Sequence, residues 1–198
     1  MIKPFATIGI DDHNGWANLV IVAVLDGMFE VREVRKVALL DAGLPKQPYH
    51  NETVFLQEIE AENLIAKVVG SAVLCTHTVL HEILTDFDEF NFESIAVRNS
   101  PLAALPGSVT EAHANRSTMF SADGMIYHHA FSTSVESLGL RLMHFDRDTV
   151  VTDAAVAAGL EIEAMQELLA KPGKNLGPPW RKEHRLAFAG AVLALSHE

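Results

Sequence analysis

The sequence predicts a single α/β domain built on a mixed five-stranded sheet with helices on both faces. Three observations carry this. Residues 5–40 hold three strand-like segments joined by Asn14-Gly15 and Asp26-Gly27, dipeptides suited to tight hairpin turns, so they form an antiparallel meander. Two shorter apolar segments, Ser94–Val97 and Leu140–Phe145, stand alone between helical stretches, the spacing expected of parallel strands. A late segment, opened by Pro178-Pro179 and carrying Leu186 to Leu195, is apolar nearly all round and reads as a buried helix.

The elements follow in order. Phe5–Asp11 is a short buried strand, and Asp12-His13-Asn14-Gly15 is its turn. Trp16–Leu25 is a continuous apolar strand, and Met28–Leu40 is a third, with alternating character. A loop runs from Gly43 to Pro48. A helix then starts at Asn51 or Thr53, either of which suits an N-cap. Gly70 kinks or ends it before a second helical stretch to Leu84. Asp86–Phe90 is loop. Ser108 and Glu111 have the spacing of a capping box, opening a helix that runs to Leu138 with a break near Gly124 and a stop at Gly139. Thr152 caps a short helix, Gly159 turns the chain, and Ile162–Leu169 is another helix. Together these form a helical insertion at about 150–175 within one domain spanning 1–198. Pro178-Pro179 opens the last helix, where Ala187, Gly190, Ala191 and Ala194 recur on one face and Phe188 and Leu193 fill core.

Composition narrows the function. Fifteen Lys+Arg against 26 Asp+Glu give a net charge of −11 with histidine neutral, and no basic run is present. Nucleic-acid binding depends on Lys and Arg displacing counterions, so this balance disfavours a nucleic-acid partner without excluding it. A single cysteine, Cys75, rules out an internal disulfide and fits a reducing compartment. No stretch reaches the ~18 apolar residues of a membrane span, and a cytoplasmic, membrane-free protein is expected. Homo-oligomerisation stays open. The phosphate-binding loop Gly-x-x-x-x-Gly-Lys-Ser/Thr is missing, as are Gly-x-Gly-x-x-Gly and the nucleophile elbow Gly-x-Ser-x-Gly.

Ile8-Gly9-Ile10-Asp11, a glycine-containing turn, and Trp16-Ala17-Asn18-Leu19-Val20-Ile21 resemble the first hairpin of the ribonuclease H-like superfamily, in its Holliday-junction-resolvase branch. The element order resembles that superfamily over almost the whole chain. The resemblance implies the mixed sheet described above. It also implies a nuclease site in which carboxylates hold two Mg²⁺ or Mn²⁺ ions that activate water and stabilise the leaving oxygen.

Asp11 matches the first-strand aspartate of that pattern. A second reading of the same residue is that Asp11 or Asp12 only shapes the turn into Gly15. The superfamily's next acidic position, near the end of the fourth strand, reads Val97-Arg98-Asn99-Ser100 here and holds no carboxylate. Near the start of the last helix stand Glu183 and His184. Glu183 is a candidate catalytic carboxylate and equally a favourable first-turn acid. Asp146 and Asp148 alternate with His144, so a continuing strand would set all three on one face as metal ligands; the alternative is an ordinary polar loop. His77 and His81 are spaced i, i+4 but enclose no general base. His128 and His129 are ~100° apart on a helix and cannot easily share a metal. Thr152–Leu168 has the outline of a helix-turn-helix, but its second helix carries Glu161, Glu163 and Glu167, which phosphate would repel. The expectation is a non-catalytic binding or assembly domain. A Mg²⁺/Mn²⁺-dependent nuclease using Asp11 is the alternative, and a small-molecule phosphotransferase a third.

Overall fold

The sheet runs β3-β2-β1-β4-β5, with β1 (Phe5–His13) at its centre. A computed structural model describes residues 3–176 and 179–196. β1 pairs antiparallel with β2 (Trp16–Leu25), which pairs antiparallel with β3 (Met28–Ala38). The predicted meander is present, and both turns use the backbone freedom expected of them: Gly15 has φ +83° and Asp26-Gly27 have φ +49° and +76°. The first strand is longer than predicted. Asp12 and His13 continue the ladder, and His13 faces Trp16 in the last pair.

β4 (Asn91–Arg98) lies parallel to β1, and β5 (Arg141–Phe145) parallel to β4. The parallel half therefore needs crossovers, and helices supply them. α1 (Pro48–Asn51) is a single turn, followed by α2 (Glu58–Asp86). α2 begins at Glu58, not at Asn51 or Thr53, and it passes through Gly70 without ending. A Cβ at Gly70 would meet nothing within 4 Å, so this glycine faces outward and the inner stripe Ile65, Val68, Ala72 continues unbroken. α2 is also more apolar than expected, and by length and composition alone it would cross a membrane; here its inner stripe lies on the sheet.

The Ser108 cap is present, with its hydroxyl oxygen accepting from Glu111 N–H at 3.1 Å and the Glu111 carboxylate accepting from Gly107 N–H at 2.7 Å. Yet α3 (Val109–Ala112) is one turn long, and α4 (Arg116–Ser137) restarts at Asn115, whose side chain caps Thr118 N–H at 3.0 Å. The break lies there, not near Gly124. α5 (Val150–Ala157) starts after Thr149, one turn's breadth ahead of the predicted Thr152, and α6 (Ile162–Leu176) follows. α7 (Lys182–Leu195) is the apolar helix; of the proline pair predicted to open it, Pro179 precedes it and Pro178 lies outside the described residues.

Alternation along the strands sorts the core into two layers. Ile8, Ile10, Ile21, Ile95 and Val97 point to α2 and α4. Val20, Val22 and Ala96 point to α7, α5 and α6. α7 crosses the sheet at backbone contact, because a Cβ on Gly9 would fall 1.8 Å from the Ala187 carbonyl oxygen. Gly190 makes room in the same way for the Phe145 ring. Phe188 is fully buried as expected, whereas Leu193 is only half-buried at the margin.

Candidate functional site

β1 is the strand where neighbours change from antiparallel to parallel, and its carboxyl end opens beside the N-terminus of α7. Ligand sites in open α/β sheets gather at such a switch. Asp11 and Asp12 stand near the end of this strand and point to opposite faces.

Asp11 is 3% exposed and faces the α7 side. His13, two residues on and on the same face, sets its Nε2 2.7 Å from Asp11 Oδ2. The His13 ring stacks on Trp16 at 3.9 Å between centroids, and Lys36 Nζ lies 4.0 Å from the Trp16 centroid.

Asp12 is 1% exposed and faces α4. Arg98, from the end of β4, donates through Nε to Asp12 Oδ1 and through Nη2 to the Asp12 carbonyl, both at 2.8 Å. His128 of α4 places Nε2 3.4 Å from Asp12 Oδ2. Burial pushes the His128 pKa below its ordinary value, partly offset by the Asp12 charge. The imidazole thus stands beside the Asp12 carboxylate, within reach of its charge. His129 is half-buried.

At the start of α7, the Arg181 N–H donates to His184 Nδ1 at 3.1 Å. His184 thus does the work of a capping-box Glu or Gln. Burial lowers its pKa, against the pull of Glu183 and Asp11, so the ring is neutral with its proton on Nε2. Trp180 stacks on His184 at 5.7 Å and anchors its indole N–H on the Leu169 carbonyl at 2.8 Å. Glu183 is held below the usual carboxylate range, first by its own backbone N–H at the helix start and then by Arg147, His13 and His184.

These groups border a groove of about 740 Å³ between the start of α7 and the β2–β3 surface. The chain has two tryptophans, and both line it. Lys36 and Arg181 bring positive charge to it, beside Arg32, which is paired with Glu30, and the acids Glu33 and Glu183. Of the residues flagged in the sequence, Glu183 and His184 line the groove, whereas Asp11 lies behind it, bonded to His13, and reaches His184 through its charge. The sequence reading missed Trp16, Lys36 and Trp180, which come from segments far apart in the chain.

The remaining candidates do not join. β5 ends at Phe145, so the alternation of His144, Asp146 and Asp148 stops with the strand. Asp146 Oδ1 accepts the Asp148 N–H at 2.8 Å, a local turn, and all three side chains are exposed. His77 and His81 stack at 6.3 Å on α2 without a third ligand. Among the described residues no group of three His, Cys, Asp or Glu side chains is set to hold a metal ion. Met165 and Leu169 of α6 are buried against the α7 layer, so the helix pair that outlined a helix-turn-helix is a packing element.

The architecture matches solved structures over nearly its whole length. RuvC of Thermus thermophilus in complex with a Holliday junction substrate covers 98% of this chain and 94% of its own, at 14% identity and a TM-score of 0.56. A further Thermus thermophilus RuvC structure gives the same coverage and identity at 0.54. This chain has the ribonuclease H-like fold. No protein-family model matches the sequence, and no curated protein matches it.

The resemblance implied a divalent-metal pair at the ribonuclease H-like site, and the donor set can be tested against that. Such a pair needs several carboxylates facing one another. Here Asp11 is tied to His13. The place one step beyond the Ile10–Val97 pair, where an acid is expected, holds Arg98. That place supplies no carboxylate, its guanidinium being bonded to Asp12, and Glu183 is the one acid of α7. The residues present do not fit a two-metal centre.

Proposed function

We propose that this chain is a non-catalytic ribonuclease H-like binding domain. The observation that carries the reading is the Arg98–Asp12 pair: a guanidinium bonded to the strand end stands where a metal-dependent nuclease needs a carboxylate. The histidines support the same reading. His13, His128 and His184 are committed to Asp11, Asp12 and the α7 cap, so the aspartates are already partnered. The binding face is the groove at the end of β1.

The T. thermophilus RuvC that this fold resembles was solved with a Holliday junction substrate, so branched DNA is the first macromolecule to test. The net charge of −11 argues against a polyanion running over this surface.

The test pairs a thermal melt with a cleavage assay. Saturating Mn²⁺ should leave the melting temperature of the wild-type chain unchanged, since a ligand that binds only the folded state raises it by mass action. Incubation with labelled four-way junction DNA and Mn²⁺ should yield no cleavage. A Mn²⁺-dependent rise that Asp11→Asn abolishes, together with cleavage, would overturn the proposal in favour of the Mg²⁺/Mn²⁺-dependent nuclease.

A further inference from the structure

We infer that the groove beside α7 binds a mononucleotide: a planar heteroaromatic ring carrying an anionic phosphate. This rests on reading the groove as the binding face and adds the chemistry of its occupant.

Size comes first. A groove of about 740 Å³ falls within the ~300–1,000 Å³ typical of small-ligand sites. The lining comes next. Trp16 lies between two partners, the His13 ring at 3.9 Å and the Lys36 ammonium at 4.0 Å. His13 is fixed by Asp11, whereas Lys36 is a long, exposed, rotatable side chain on the strand surface. Lys36 is therefore a placeholder on an indole face. A ligand ring can displace it by stacking on Trp16, and the freed ammonium then meets the phosphate. Cation–π and ring-stacking energies are of similar size, about 1–3 kcal/mol for a stacked base, so the exchange is not uphill once the phosphate contact forms.

Charge selects the second half of the ligand. Arg181 lies on the same groove as Lys36, while Arg32, which also borders it, is engaged by Glu30 at 3.5 Å and by the Phe90 ring. Of the acids that line it, Glu33 is taken up by Arg35 through two contacts, and the charge of Glu183 at the start of α7 is offset by those of Arg147, His13 and His184. His184 keeps its proton on Nε2, the nitrogen not used in the cap, and so offers a neutral donor. A mononucleotide needs only these local cations. A long single strand would have to extend over a molecule whose net charge is −11.

Both tryptophans of the chain line the groove, so intrinsic fluorescence reads its occupancy directly. Titrating the wild-type chain with AMP and with UMP, without divalent metal, should give saturable quenching or enhancement in the micromolar to millimolar range. Adenosine and inorganic phosphate, each carrying half of the chemistry, should bind at least about tenfold more weakly. Lys36→Met should weaken AMP about tenfold while its melting temperature stays at the wild-type value. Trp180→Leu tests the other wall; if it unfolds the chain, the Lys36 variant and the half-ligands still decide the matter. The absence of saturable change with either nucleotide, or equal affinity of AMP and adenosine, would overturn the inference. Tighter binding of single-stranded oligonucleotide than of AMP at physiological salt would also overturn it. Chromatography of the same mixtures separates the two proposals. Nucleotide that is bound and recovered intact leaves both standing. Nucleotide hydrolysed, or bound only with Mn²⁺, removes the non-catalytic reading, and intact nucleotide with no binding removes only this inference.

Discussion

Arg98 and Asp12 form a two-pronged contact, Nε to Oδ1 and Nη2 to the carbonyl, that closes the end of β4 onto the end of β1. Asp12 is 1% exposed, so removing the guanidinium leaves a carboxylate out of water with only His128 at 3.4 Å. Arg98→Ala should cost about 3 kcal/mol, the low end for breaking a buried pair, because the arginine itself reaches solvent. Arg98→Lys should recover only part, since an ammonium cannot make both prongs. Urea denaturation of the three proteins measures this; a loss below about 1 kcal/mol in Arg98→Ala would mean His128 alone suffices.

The contact between α7 and β1 is between backbones. Gly9→Ala should destabilise the fold by at least ~2 kcal/mol, because its methyl would land on the Ala187 carbonyl and neither backbone can step aside. Ala191→Leu should cost ~1–3 kcal/mol by overpacking and Phe188→Ala ~3–5 kcal/mol by cavity formation. Leu193→Ala should cost less, ~1–2 kcal/mol, because Leu193 is half-buried. Denaturant melts over a hundredfold range of protein concentration check both the order and its independence of concentration.

Asp123 should make stability fall as pH rises toward neutrality. It is fully buried in α4, where it accepts the Tyr49 N–H at 2.9 Å and the His50 N–H at 3.2 Å. Burial raises its pKa to about 7, against the pull of those two N–H donors. Between about pH 4, where an unfolded aspartate ionises, and about 7, the folded state holds a proton that the unfolded state has lost. Its stabilisation is present in full below that window and lost through it. His128 and His184, with lowered pKa values, act in the opposite sense as pH falls below the ordinary histidine range. Comparing wild type with Asp123→Asn isolates the carboxyl: the difference in stability should change with pH only inside this window. A constant difference from pH 4 to 7 would show that Asp123 stays ionised.

His184 is expected to act as the N-terminal cap of α7. His184→Ala should cost about 0.5–2 kcal/mol, and His184→Gln, which also presents an acceptor to the Arg181 N–H, should stay close to wild type. Equal losses in the two variants would show that ring packing against Trp180, not capping, is what the residue supplies.

The meander was legible because its signals are local. Asp26-Gly27 needs φ > 0 at both residues, and a two-residue hairpin has few other solutions. Gly70 misled for the opposite reason. Glycine lowers helix propensity, but the inner stripe from Ala61 to Ile83 stays buried on both sides of it, and burial outweighs a propensity term of ~1 kcal/mol. The cap at Asn115 was hidden because Ser108 had already supplied a start a few residues earlier. At the site, Asp11 could be placed because it ends an apolar strand. The partnership of Arg98 with Asp12 required the parallel pairing of β1 with β4, and Lys36 against Trp16 required the β2–β3 register. Neither register is encoded within a single segment.

The close seating of Ala187 on Gly9 also sets an order of events on the ribosome. β1, β2 and β3 are synthesised early and can pair as soon as they emerge, since their contacts are local. The side of that ribbon carrying Val20 and Val22 is covered by α7, which is translated only after β4, β5 and the helices between them. Through that interval the nascent chain shows an apolar ribbon with no cover. Such a half-finished sheet invites pairing with another copy, so holding chaperones should engage this chain on β1, β2 and β3 and release it when α7 arrives.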